Sequence, residues 1–260
     1  MQAAASFFRG PVPLLPQELA GLPPLPARRI QWRRCARILR ELLADPQRTD
    51  KAFEMMEAIG EADDRPFRCF VASREGQRLL RERPSLLRVL ADRDALAAMP
   101  EGSFGRAYLE FARANGFAAD GLMHARDAGS RDLNAGAGPE REWFYDRMTL
   151  AHDLWHVLSG YGTDDIGELA LLGFSRAQGV TGRAVRLFGF VGGLVGGRAV
   201  RRMVREARRR GGRAVPLLLA RYEELLPSLL GLVRAQLGIA PLREAHPAGL
   251  PSGTVLRRAS

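Results

Sequence analysis

His152 and His156 stand four residues apart, so on a helix they project from one face, one turn apart. Asp153 follows the first of them, about 100° round the helix axis. Two imidazole nitrogens and a carboxylate oxygen sharing one cavity suit Zn²⁺, Fe²⁺, Mn²⁺ or Co²⁺, with zinc as the first expectation. The turn Gly160-Tyr-Gly-Thr-Asp-Asp then reverses the chain. Gly167-Glu168 opens a second helix, antiparallel to the first, and Glu168 lands opposite the histidines as a further oxygen ligand. The expected site is therefore His152, Asp153, His156 and Glu168, as metal ligands. A hydrogen-bonded histidine pair in a helix bundle is the other reading of the HDxxH pattern alone. The glycine-preceded glutamate after a sharp turn favours the metal. Asp164 and Asp165 read as turn or capping residues, and His124 and His246 as ordinary surface positions.

The pattern resembles the HExxH proteases, in which two histidines on one helix meet a later glutamate. Here the residue after the first histidine is Asp, one methylene shorter than Glu. It reaches a metal more easily than it reaches a metal-bound water as a base. Peptidase activity is therefore not expected, although a metallohydrolase using water remains a third functional reading.

The elements that must position these residues read as helices throughout. Apolar residues at Ile30, Cys35, Ile38, Leu39, Leu42 and Leu43 make one face of a helix from Ala27 to Ala44. Thr49 or Asp50 caps the next, which ends at Gly60. Runs at 66–73 and 75–83 follow. Ser85 caps a helix running through Met99, and Ser103 caps one that ends at Asn115-Gly116. Residues 120–139 read as a loop over the site. Helices are expected at 140–160, 167–178, 184–210, 214–226 and 227–238. This predicts an all-α fold, with a Pro-rich N-terminal arm (1–26), one helical metal-binding domain (27–240) and a flexible tail (241–260).

Composition narrows the setting. Two distant cysteines, Cys35 and Cys69, make no disulfide framework and suit a reducing compartment. The first residues lack the apolar run of a signal peptide, and no stretch of eighteen apolar residues occurs. The net charge is +10, and of 39 basic residues Lys51 is the sole lysine, a bias that fits a GC-rich bacterial genome. Such a charge favours an anionic partner. No helix-turn-helix, RNP or zinc-finger pattern accompanies the arginines, so nucleic acid is not the expected one.

The HDxxH spacing, eleven residues, then a glycine-preceded Glu resembles the signature of the coenzyme Q (ubiquinone) biosynthesis protein 4 family. The segments EGQRLLRERPSL (75–86), MPEGSFGRAYLEF (99–111) and RYEELLPSLLGLVRAQLGI (221–239) are similar to that family as well, and Gln178 fits its spacing. The likeness covers about residues 30–240. It implies an all-helical metalloprotein whose four motif residues hold the ion. It also implies removal of the C1 carboxylate from a polyprenylated 4-hydroxybenzoate-type precursor in an oxidative step that leaves a C1 hydroxyl. A non-catalytic lipid-binding scaffold for quinone-biosynthesis enzymes is the alternative. The resemblance further implies membrane association and contact with other ubiquinone-biosynthesis proteins; a homodimer is left open. The chain departs from the family before the motif, at Arg147-Met-Thr-Leu-Ala151, and after it, at Leu172 and Ser175, as a divergent bacterial member would.

A polyprenyl tail needs an apolar groove. Leu169, Leu171, Leu172 and Phe174, then Val185, Leu187, Phe188, Phe190, Val191, Leu194 and Val195, supply apolar surface, with plain helix packing as the competing use. Arg198, Arg201, Arg202, Arg205, Arg208, Arg209, Arg210 and Arg213 follow at once. An apolar segment joined to a basic cluster is what attachment to an anionic membrane surface requires, and a solvated helix face is the plainer reading. The expected location is the bacterial cytoplasm, peripheral to the inner membrane.

Overall fold

Short polar side chains start five of the described helices by accepting amide groups that a first turn leaves without partners. The computed structural model describes residues 3–8, 11–23, 25, 29–44, 49–60, 64–116, 118, 121, 124, 137–180, 182, 197–240 and 242. α1 (Ala4–Phe7) and a 3-10 turn (Gln17–Leu19) lie in the N-terminal arm. α2 (Trp32–Ala44) and α3 (Thr49–Ala58) pair as a hairpin. α4 (Arg65–Ala72) gives way to α5 (Arg74–Glu82) because Ser73 Oγ accepts the Gly76 amide and starts a new helix. Ser85 and Asp92 do the same for α6 (Leu86–Ala91) and α7 (Arg93–Ala98), and Ser103 for α8 (Phe104–Ala114). α9 (Pro139–Ser159) is the longest described helix, with Pro139 in its first turn, where a missing N–H is harmless. α10 (Asp165–Ala177), α11 (Gly197–Arg213), a 3-10 turn (Leu217–Leu219), α12 (Tyr222–Leu225) and α13 (Leu230–Gln236) complete the chain. The described residues form one all-helical domain, without a strand among them.

Two expected helices differ. The run from Ser85 to Met99 is split, since Asp92 Oδ1 accepts the Ala95 amide and begins a second helix. The helix expected over 214–226 is two short pieces, because distant groups claim its backbone. The Val215 amide donates to Leu237 O, and the Leu217 amide donates to the side chain of Gln178. Groove residues Val185 to Val195, most of the 120–139 loop and nearly all of the tail lie outside the described residues.

α9 is the hub. In its last three turns Leu150, Ala151, Leu154, Trp155, Val157 and Leu158 are all buried, as befits a helix enclosed by others. α5, α6, α8 and α10 pack on it. Its outer anchors are buried arginines. Arg141 forks onto Asp64 at 2.8 and 3.1 Å and donates to Pro23 O and Ala137 O. Arg147 forks onto Glu223 of α12 at 2.6 and 2.9 Å and donates to Ala220 O. Burial works against the Glu223 charge, but the Arg147 hydrogen bonds and charge prevail and hold its pKa below the usual carboxylate range. The N-terminal arm lies on this body, with Ala4 and Phe8 buried. The α2–α3 hairpin buries a cluster of its own around Cys35, Ile38, Met55, Ala58 and Ile59.

α10 lies along α11 for most of its length. Ile166 meets Val200, Gly173 meets Val204 and Phe174 meets Gly211, so the two helices run in the same direction. A Cβ on Gly173 would stand 2.7 Å from Val204 O, and one on Gly211 2.5 Å from Phe174 O. The backbones touch, and no larger residue fits. Gln178, fully buried, ties the ends together by donating to Gly211 O while accepting from the Leu217 amide. No described helix is long and apolar enough to cross a membrane.

Candidate metal centre

The turn from 160 to 164 sets where Glu168 falls relative to α9. Gly160, with φ +78°, ends α9 in the left-handed conformation, and its amide donates to His156 O. Arg234 donates to Val157 O and Leu158 O, and Arg210 to Ser159 O, placing two cations at the negative end of α9. Burial, and next the charge of Arg210, lower the pKa of Arg234. Asp164 Oδ1 accepts the amides of Ile166 and Gly167 and so caps α10. Asp164 is thus the capping residue that its place in the turn suggests. A Cβ on Gly167 would lie 2.1 Å from Gly162 O. The turn crosses the first turn of α10 at contact distance, and only glycine allows it.

This brings His152, His156 and Glu168 together, with one ligand atom from each lying within 4.8 Å of the others. His156 Nε2 is 3.2 Å from Glu168 Oε1, and His152 Nε2 is 3.8 Å from Glu168 Oε2. The imidazole centroids are 4.8 Å apart and the rings nearly perpendicular. Asp153 is not a member of this cluster. Its Oδ1 lies 3.5 Å from His152 Nδ1, on the ring edge away from Glu168 Oε2. Its charge also reaches Tyr108 of α8, whose pKa burial raises first and this charge raises further.

His156 is 1% exposed and stacks on Phe111 with centroids 5.5 Å apart. Its Nδ1 lies 3.1 Å from Tyr161 O, which can only accept. Nδ1 therefore carries a proton that it donates to this carbonyl, and Nε2 is the ring nitrogen that faces Glu168. That Nε2 is buried without a hydrogen-bond partner, since Glu168 Oε1 is close but not aligned for a bond. Such an atom is costly in an interior unless something else completes it.

A divalent ion fits this observation. Donor atoms of a tetrahedral zinc site, with bonds of about 2.0–2.1 Å, stand roughly 3.3 Å apart, close to the 3.2 Å between His156 Nε2 and Glu168 Oε1 and tighter than the 4.8 Å span of the three-atom set. Desolvation opposes charge on both His152 and Glu168, and their polar neighbours overcome it. The pKa of His152 is raised, chiefly by Asp153 and then by Glu168, and that of Glu168 is lowered by His156 and His152.

Sequence reasoning missed Tyr161 O, Phe111 and the two arginines at the end of α9. The tight Gly160-Tyr-Gly turn was the available signal for Tyr161. A cavity of about 500 Å³ lies beside His156, lined among others by Phe111, Tyr161, Leu230 and Arg234. Seven of the eight clustered arginines are exposed on α11, while Arg210 is buried.

Residues 41–243 match the family model described as coenzyme Q (ubiquinone) biosynthesis protein Coq4. A mitochondrial ubiquinone biosynthesis protein COQ4 homolog from Rattus norvegicus is 31% identical over 173 residues, 64% of this chain and 62% of that protein. The corresponding protein of Drosophila ananassae is 30% identical over 209 residues, 78% of this chain and 75% of that one. The fold matches a solved structure from Nostoc punctiforme PCC 73102, provisionally described as a ubiquinone biosynthesis protein. The TM-score is 0.55 at 19% identity, over 81% of this chain and 99% of that one.

Proposed function

The chain belongs to the coenzyme Q (ubiquinone) biosynthesis protein Coq4 family, and on that footing we propose that it is a metal-dependent decarboxylase of a polyprenylated 4-hydroxybenzoate-type precursor. The observation that carries the reading is the buried Nε2 of His156, without a hydrogen-bond partner and facing Glu168 and His152. His152, His156 and Glu168 would hold the ion, zinc first, with iron, manganese or cobalt also suited to two imidazoles and a carboxylate. When bound, the ion supplies a Lewis acid for carboxylate and phenolate-type oxygens, or oxygen activation if it is redox-active.

In the overall change the C1–carboxyl bond breaks and carbon dioxide leaves. The substrate loses two electrons, one each from the ring carbon and the carboxyl carbon, and C1 gains a hydroxyl oxygen, with half a molecule of dioxygen as oxidant and oxygen source. The protein's own part is to hold and orient. Tyr161 O fixes the His156 tautomer, Phe111 backs its ring, and the Gly162–Gly167 crossing sets Glu168 against both histidines.

On this reading the protein works at a membrane surface. Arg198, Arg201, Arg202, Arg205, Arg208, Arg209 and Arg213 fall within an arc of about 140° on α11 by helical geometry. Arg198, Arg201, Arg205, Arg208, Arg209 and Arg213 make no ion pair among the described residues. Such an arc suits peripheral attachment to anionic lipid next to other enzymes of the pathway. The same arc also favours a second reading, a lipid-binding scaffold whose metal is structural.

Purified protein should contain about one divalent ion per chain. Incubated with a prenylated 4-hydroxybenzoate, it should release carbon dioxide and form the C1-hydroxylated product. Glu168→Ala should lose both the ion and the product while still binding anionic vesicles. Product formation unchanged in Glu168→Ala would overturn the catalytic reading. Absence of both metal and prenylated aromatic acid from the purified protein would overturn the metal reading.

A further inference from the structure

We infer that Asp153 does not bind the ion but positions His152, leaving a three-ligand centre of His152 Nε2, His156 Nε2 and Glu168. The inference rests on the metal-centre reading above. The two histidines are held alike. Each turns Nε2 toward Glu168, at 3.8 and 3.2 Å, and each rests Nδ1 against an oxygen acceptor, Asp153 Oδ1 for His152 and Tyr161 O for His156. An acceptor on Nδ1 keeps the proton there, frees the Nε2 lone pair and fixes the ring plane. Asp153 therefore does for His152 what a backbone carbonyl does for His156.

Position along the helix explains the division. His152 and His156, four apart, share a face, whereas Asp153 is turned about 100° from His152. The Asp153 carboxylate is buried on that other bearing, with 11% of its side chain exposed, and it stands apart from the three-residue cluster. A carboxylate behind a ligating imidazole is a recurrent way to orient the ring and raise its basicity. Three protein ligands leave a coordination position open, as metal sites that act on a substrate require. A set of four protein ligands would close it.

The test uses Co²⁺ as a spectroscopic probe in the full-length wild type, Asp153→Ala, Asp153→Asn and Glu168→Gln, with circular dichroism to verify folding. In wild type one Co²⁺ per chain should give a visible d–d band. Both Asp153 variants should keep its position and shape, while Co²⁺ affinity falls about 10- to 100-fold. Asp153→Asn should lose less than Asp153→Ala, because its amide oxygen still accepts from Nδ1. Glu168→Gln should alter the band itself. If Asp153→Asn shifts the band as Glu168→Gln does, Asp153 is a ligand and the inference fails alone. If wild type takes up no Co²⁺, the metal-centre reading fails with it. The isosteric Asp153→Asn keeps the test decisive should the alanine variant not fold.

Discussion

The two halves of α9 treat buried polar groups in opposite ways. Toward its start, Arg141 and Arg147 are each neutralised by a forked carboxylate, Asp64 or Glu223, with backbone carbonyls taking further N–H groups. Arg147 leaves only its Nε without a partner, in a guanidinium that already makes three bonds. Toward its end, His156 has a buried Nε2 that no group among the described residues satisfies, and Glu168 lies beside it out of hydrogen-bond alignment. Buried polar groups are nearly always paired. One half of the helix is complete by itself, and the other is shaped to be completed from outside.

Breaking the self-sufficient half should have the largest effect. Arg147→Met leaves Glu223 mostly buried without its cation, and the loss on urea unfolding should be about 3–5 kcal/mol. A loss under about 1 kcal/mol would erase the contrast between the halves.

The other half should respond to ligand instead. Zinc at about 100 times its dissociation constant should stabilise the wild type by about 2.7 kcal/mol. His156→Leu should lose that gain entirely, while its metal-free stability stays within about 1.5 kcal/mol of wild type. A large metal-free loss would make His156 a core residue first and a ligand second.

Acid sharpens the comparison further. The Glu223 pKa is lower folded than unfolded, so its stabilising contribution is present above the unfolded value, about 4.3, and is lost as pH falls through the folded one. Wild type should therefore lose stability below about pH 4.5 through this pair, and Arg147→Met should lack that share of the loss. Parallel acid profiles in urea titrations would count against it.

The smallest effect belongs to the α2–α3 hairpin. Arg37, 58% exposed, pairs with Glu41 and Glu54. Arg37→Ala should cost less than about 1 kcal/mol, and 1 M salt should erase the difference. A cost that survives high salt would mean packing of the side-chain stem, not charge.

Local chemistry made much of this legible in the sequence. Ser85 and Ser103 announce their helices because a cap acts within three residues. Two imidazoles four apart and a glutamate after a glycine turn likewise point to His152, His156 and Glu168. What escaped was set by distant partners. Gln178 captures the Leu217 amide and prevents the helix expected there. Glycine contacts lay α10 along α11, where its neighbour in sequence, α9, was the expected partner. The side taken by Asp153 escaped for a different reason. A helical wheel fixes where a Cβ points, not which edge of an imidazole a carboxylate meets.

The crossing of Gly162 and Gly167 bears on how related chains are recognised. A single methyl at 167 would sit 2.1 Å from a carbonyl oxygen, so the turn could not close and Glu168 would be carried away from the histidines. A chain with both histidines and the glutamate but a bulkier residue before it would therefore have the ligands of this centre without the means to assemble them. Steric fit in the turn, as much as the metal-binding letters, separates a working relative from a chance match.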